Sequence, residues 1–123
     1  MGIHIFYFRG ICYEKINKWN LDGNPVKDNE TYVVIDNTSL QNLVVSKTIL
    51  HPSKETTGHK HPGQEEVYHF TYGYGRMQLD NDVFEVEAGD IVLIKDGVFH
   101  KVFNDNPSED LIFVCVFDGQ RNH

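Results

Sequence analysis

Cysteine is scarce in this chain: Cys12 and Cys115 are the only two. Two thiols cannot build a disulfide scaffold, and no Cys-x-x-Cys pair is present for redox or thiolate chemistry. Both read as reduced thiols, and the cytoplasm is the expected compartment. Long apolar runs are missing as well. Ile3-His4-Ile5-Phe6-Tyr7-Phe8 is closed by Arg9, too short for a transmembrane span and unlike a signal peptide, so no membrane association is expected. Met1-Gly2 does not open a myristoylation signal, because Phe6 stands where a hydroxyl residue is needed. Basic residues are outnumbered, 11 against 18 acidic ones, for a net charge of −7. Lys and Arg nowhere cluster as phosphate binding requires, which excludes nucleic acid as a partner. No segment carries the period of an amphipathic helix.

What is present is an apolar fraction of 40% with 12% aromatics in 123 residues. That fits one folded domain with a core, not a disordered chain. Hydrophobic runs recur at residues 31–36, 43–50, 66–71, 76–80, 83–87, 91–94, 99–103 and 111–117, with turn residues between them. Short strands at this spacing predict an all-β sandwich or barrel. Asp80-Asn81 lies at the tip of a tight hairpin, and Asp22-Gly23-Asn24-Pro25 reads as a turn. Residues 1–30 are set apart as an N-terminal arm that adds a strand to the sheet or crosses to a partner subunit. Residues 31–123 form the barrel. Alternation places Tyr68, Phe70 and Tyr72 on the inward side with Glu66, and Val67, His69 and Thr71 outward. Val98, Val102 and Asn104 share the side of His100, and Phe84, Val86 and Ala88 look inward. Lys47 alternates with apolar neighbours, and its facing stays open.

The chemistry concentrates in two segments. His59 and His61 are one residue apart, and side chains so spaced on a strand point to the same side. Glu66 follows, and His100 comes from a distant strand. Three imidazole nitrogens and one carboxylate can surround a single divalent metal. That donor set suits iron, zinc, manganese, cobalt or nickel better than calcium or magnesium. Glu65 competes with Glu66 for the fourth place, and strand alternation prefers Glu66. Tyr68, two residues further on the same face, would stand beside a metal-bound substrate as a proton-transferring group, or serve as a wall residue. An isolated His-x-His is more often a pair of surface histidines; the second segment reverses those odds.

The segments resemble the paired motifs of the cupin superfamily. The first is His59-x-His61, four residues, Glu66, six residues, Gly73. The second keeps Gly89, Gly97, His100 and Asn104, with Lys95 in place of the usual proline. Ser53 replaces a glycine of the first motif. The resemblance implies a single small double-stranded β-helix, or jelly-roll, barrel. Gly58-His59-Lys60-His61, Glu66-Val67-Tyr68 and Gly73-Tyr74-Gly75-Arg76-Met77 look like the cupin-type glucose-6-phosphate isomerases of archaea, although the gap between histidines and glutamate is longer there. The spacing His59-x-His61, Glu66-x-Tyr68, Gly73 is similar to cupin lyases of dimethylsulfoniopropionate. A metal-dependent isomerase of a small carbohydrate or sugar phosphate is slightly favoured. A lyase or dioxygenase of a small organic acid and a non-enzymatic ligand sensor are the alternatives. Exposed sheet edges and the aromatic N-terminal stretch, together with the habits of the superfamily, imply a homodimer in which residues 3–13 touch the partner.

Overall fold

The period-two alternation that runs through the sequence becomes nine strands. The computed structural model describes residues 12–119; the strand expected near residues 3–8 lies outside them. In order, the strands are β1 (Asn24–Asp28), β2 (Tyr32–Asn37), β3 (Leu43–Leu50), β4 (Glu66–Tyr72), β5 (Tyr74–Leu79), β6 (Asp82–Glu87), β7 (Ile91–Ile94), β8 (His100–Phe103) and β9 (Leu111–Asp118). No helix among the described residues is long and apolar enough to cross a membrane. A six-stranded sheet of order β1-β2-β3-β9-β4-β7 faces a three-stranded sheet of order β6-β5-β8. Every pairing is antiparallel.

Register aligns the inward residues of the large sheet in rows. Asp36, Ser46, Cys115 and Tyr68 form one row; Val34, Thr48, Phe113 and Phe70 form the next. Opposite them the small sheet contributes Met77, Val86 and Val102. Leu50, Phe70, Met77 and Leu111 are wholly buried. Each large apolar side chain removed from water contributes roughly 1.5–3 kcal/mol. The β5–β6 hairpin pairs Leu79 with Asp82, and Asp80 takes the left-handed conformation that the two-residue turn needs, φ 51°.

Three expectations about individual residues need correction. Tyr72 is not inward but half exposed: the β4–β9 register slips between Phe70 and Tyr72, and the Tyr72 hydroxyl donates to Glu109 instead. Ala88 is exposed, beyond the end of β6. The turn before β1 closes at Gly23, after left-handed Leu21 and Asp22, so Asn24 and Pro25 already belong to a strand. Proline is accommodated there because β1 is the outermost strand of its sheet. Lys47 faces away from the cavity that Ser46 and Thr48 line. Its amine donates to the carbonyls of Lys18 and Trp19 at 3.2 and 2.9 Å and lies over the Trp19 ring. Burial lowers its pKa below the ordinary lysine value.

Candidate metal centre and cavity

His100 opens β8, and its ring is oriented from behind. Its Nδ1 lies 3.0 Å from the Val98 carbonyl; an N–H there donates to that oxygen and leaves Nε2 with its lone pair directed inward. His59 is held against it by two backbone hydrogen bonds, His59 N to His100 O at 3.1 Å and His100 N to His59 O at 2.9 Å. Beyond this single bridge, His59 and His61 do not lie on a strand. A loop brings them together, not the strand alternation expected from the sequence. Gly58 sets the entry to that loop. It has φ +84°, and a Cβ there would fall 2.6 Å from the Phe99 ring. Past His61, the Gly63 amide donates to Asp96 at 2.7 Å, tying the loop to the turn before β8.

The ligand atoms of His59, His61 and His100 lie within 4.8 Å of one another. Glu66, the first residue of β4, stands against this trio, its Oε1 3.0 Å from His100 Nε2 and 3.7 Å from His61 Nε2. Glu65 is exposed. Burial is the largest single influence on the His100 ring and disfavours its charged form. The Glu66 carboxylate and the Val98 carbonyl together outweigh it, so the pKa lies above the usual imidazole value. Yet Glu66 Oε1 and His100 Nε2 are buried with no partner in hydrogen-bond geometry. Buried polar atoms left this way cost about 1–3 kcal/mol each. A divalent cation at the point on which they converge would satisfy both. The donor set of three imidazoles and one carboxylate fits a borderline transition metal.

The cluster opens on a cavity of about 50 Å³ between the sheets. Tyr68 is on its wall, 7% exposed. Its ring stacks on Phe113 with centroids 5.2 Å apart and stands nearly perpendicular to His100 at 5.7 Å. Sequence reasoning missed several wall residues: Ser46, Thr48, Thr56, Gln64 and Lys27. The alternation of β3 would have assigned Ser46 and Thr48 to the wall once Lys47 was known to face out. Lys27 had no such signal, because the first two residues of its strand, Asn24 and Pro25, read as a turn.

A double-stranded β-helix with a three-histidine cluster at one end of its cavity defines a class of metal-competent barrels. The cupin domain family matches residues 46–117, and the chain belongs to it. An uncharacterized protein of Methanocaldococcus jannaschii is 38% identical over 60 residues, 49% of this chain; the chain spans only 48% of that protein. An uncharacterized conserved protein of Klebsiella pneumoniae with a double-stranded β-helix domain superposes with a TM-score of 0.68 at 28% identity. That alignment covers 75% of this chain and 80% of that one. A mutant oxalate decarboxylase of Bacillus subtilis gives 0.73 at 20% identity over 89% of this chain and 30% of that one. KdgF of a Halomonas species gives 0.70 at 12% identity, covering 80% and 89%. At these last identities the likeness concerns the fold.

Proposed function

We propose that this protein is a metal-dependent enzyme that moves a proton on a small polar substrate. The observation that carries the reading is the pair of unsatisfied buried atoms, Glu66 Oε1 and His100 Nε2. They converge with His59 and His61 beside a cavity walled by Tyr68. His59, His61, Glu66 and His100 would hold the metal. Bound there, a divalent ion supplies Lewis acidity toward a carbonyl or carboxylate oxygen. Tyr68 is the proton-transferring group of the proposal, acting as general acid or, with its pKa lowered near a cation, as base. Phe113 stacked on its ring limits the positions it can take, and the apolar core around Phe70 excludes water from one side.

Isomerisation of a small carbohydrate and elimination from a small organic acid both fit this apparatus. The cavity wall bears on the choice: Lys27 and the hydroxyls of Ser46, Thr48 and Thr56 line it, which supports a small polar substrate. A fold shared with oxalate decarboxylase is no warrant for its substrate.

The test is metal analysis of untagged protein followed by a panel of short hydroxy acids, oxo acids and aldoses. With a substrate found, Tyr68→Phe is expected to lower turnover by roughly 10²–10⁴ with metal content unchanged. Full turnover in Tyr68→Phe removes the tyrosine from the chemistry. Tight metal retention with no turnover across the panel favours a ligand-binding role instead.

A further inference from the structure

β1 carries an irregularity that changes which of its residues enters the cavity. Asn24 pairs with Asp36 and Pro25 with Ile35, but the next paired residue is Lys27, opposite Val34. Val26 is the extra residue of a β-bulge and is 48% exposed. Cross-strand partners point to the same side of a sheet, and Val34 lines the cavity. An unbroken register would pair Val26 with Val34 and send Lys27 outward beside Val33. The bulge exchanges a valine for a lysine on the inner face, a known use of such irregularities. Lys27 accordingly lines the cavity and is the one residue of β1 that is not exposed. Its ammonium lies 5.6 Å from the centroid of Tyr32, another wall residue, an arrangement that holds a cation in place by its attraction to the ring face.

The other charges nearby do not occupy it. Among the described residues, the cations in ion pairs within 4 Å include Arg76 and Lys101, and Lys27 is in none. Lys47 is spent on backbone carbonyls outside. No other Lys or Arg lines the cavity among the described residues. Ser46, Thr48 and Thr56 add hydroxyls to the same wall, the polar company that an anionic group needs once it leaves water.

We infer that Lys27 is the specificity-determining residue of the cavity and that the substrate is a small anion, one carboxylate of which Lys27 receives. This rests on the proposed metal-enzyme reading and narrows it to organic acids. The lysine is a recognition group; the proton transfer stays with Tyr68.

The experiment is calorimetry on the full chain loaded with Co(II), using malonate as the anionic probe and malonamide as its neutral counterpart. The wild-type chain is expected to bind malonate at least tenfold more tightly than malonamide. Lys27→Gln should lose most of that preference with Co(II) stoichiometry unchanged, Lys27→Arg should keep part of it, and Lys95→Gln, on an exposed position away from the cavity, should keep it all. A chain lacking Val26, checked for folding by circular dichroism, removes the bulge but leaves Lys27 opposite Val34, and should keep the preference. Undiminished malonate preference in folded, metal-loaded Lys27→Gln overturns the inference, as does a Lys27→Gln chain that is merely less stable, which would make the lysine a counter-charge for buried Asp36. If the wild-type chain takes up no Co(II), the metal reading fails by itself. Malonate bound by the metal-free chain and lost in Lys27→Gln would still uphold the anion site, and malonate bound in neither state overturns it.

Discussion

Glu66 Oε1 and His100 Nε2 lie 3.0 Å apart, buried, and neither makes a well-directed hydrogen bond. Two strands of opposite sheets have delivered an acceptor and a lone pair to one point. Glu66→Gln is expected to weaken transition-metal retention by more than the roughly 10–100-fold that losing an outer-shell partner costs, measured by competition with a chelator, whereas Glu65→Gln on the exposed neighbour should leave it unchanged. Equal losses in the two variants would refute the choice of Glu66.

Asn104 is expected to matter for stability, not for metal. Its side-chain amide lies 3.0, 3.1 and 2.9 Å from the carbonyls of Leu50, His51 and Glu109, and its Oδ1 accepts the Asn106 amide. Asn104→Ala strands several buried carbonyls and should cost about 2–3 kcal/mol, a fall in Tm on the order of 10 °C. Asn104→Asp should cost more, since a carboxylate would face those carbonyls. A melting temperature within a degree or two of the wild type, about 0.5 kcal/mol or less, would count against this role.

Lys47 gives a pH signature. Burial lowers its pKa from 10.5. The folded chain releases that proton at a lower pH than the unfolded chain, so between the two values the unfolded state binds more protons and stability rises with pH. The penalty for burying the charged amine is complete below the folded value and gone above about 10.5. Urea midpoints of wild type and Lys47→Met, followed from neutral pH upward, are expected to change in favour of the wild type. Parallel profiles would show that the amine is not destabilised when charged.

The outer face beside the sheet edge carries Val67 opposite Leu93, with Ile91 one step along; Ile91 and Leu93 are 61% and 71% exposed. Apolar surface on an edge strand invites association. Light scattering is expected to give twice the 14.2 kDa chain mass at micromolar concentration, and Leu93→Asp should shift it toward one. A monomeric wild-type chain would contradict the homodimer.

Much of the fold was legible because alternation is a strong signal wherever one sheet face meets a core: β2 through β9 all fall on runs visible in the sequence. β1 was not, because Asn24-Pro25 carries turn chemistry and an edge strand accepts proline without losing a paired amide. The proposed metal ligands were readable as a motif, but the geometry behind them was not. His59 and His61 converge through a loop pinned to His100, a contact between residues 41 positions apart. Lys27 was invisible for the same reason as its strand, and a one-residue bulge decides its facing. Tyr72 shows the converse: the register slip beside it breaks the alternation that put it inside.

The place of β9 has a consequence for how the chain comes together during synthesis. β3 and β4 share no ladder; each pairs with β9, which is translated after both. A nascent chain extended only past β8 already contains His59, His61, Glu66 and His100, and the bridge between His59 and His100 needs nothing made later. The wall bearing Ser46 and Thr48 waits for β9 to join it to Tyr68. The four proposed ligands are therefore all made before the strand that closes the cavity wall.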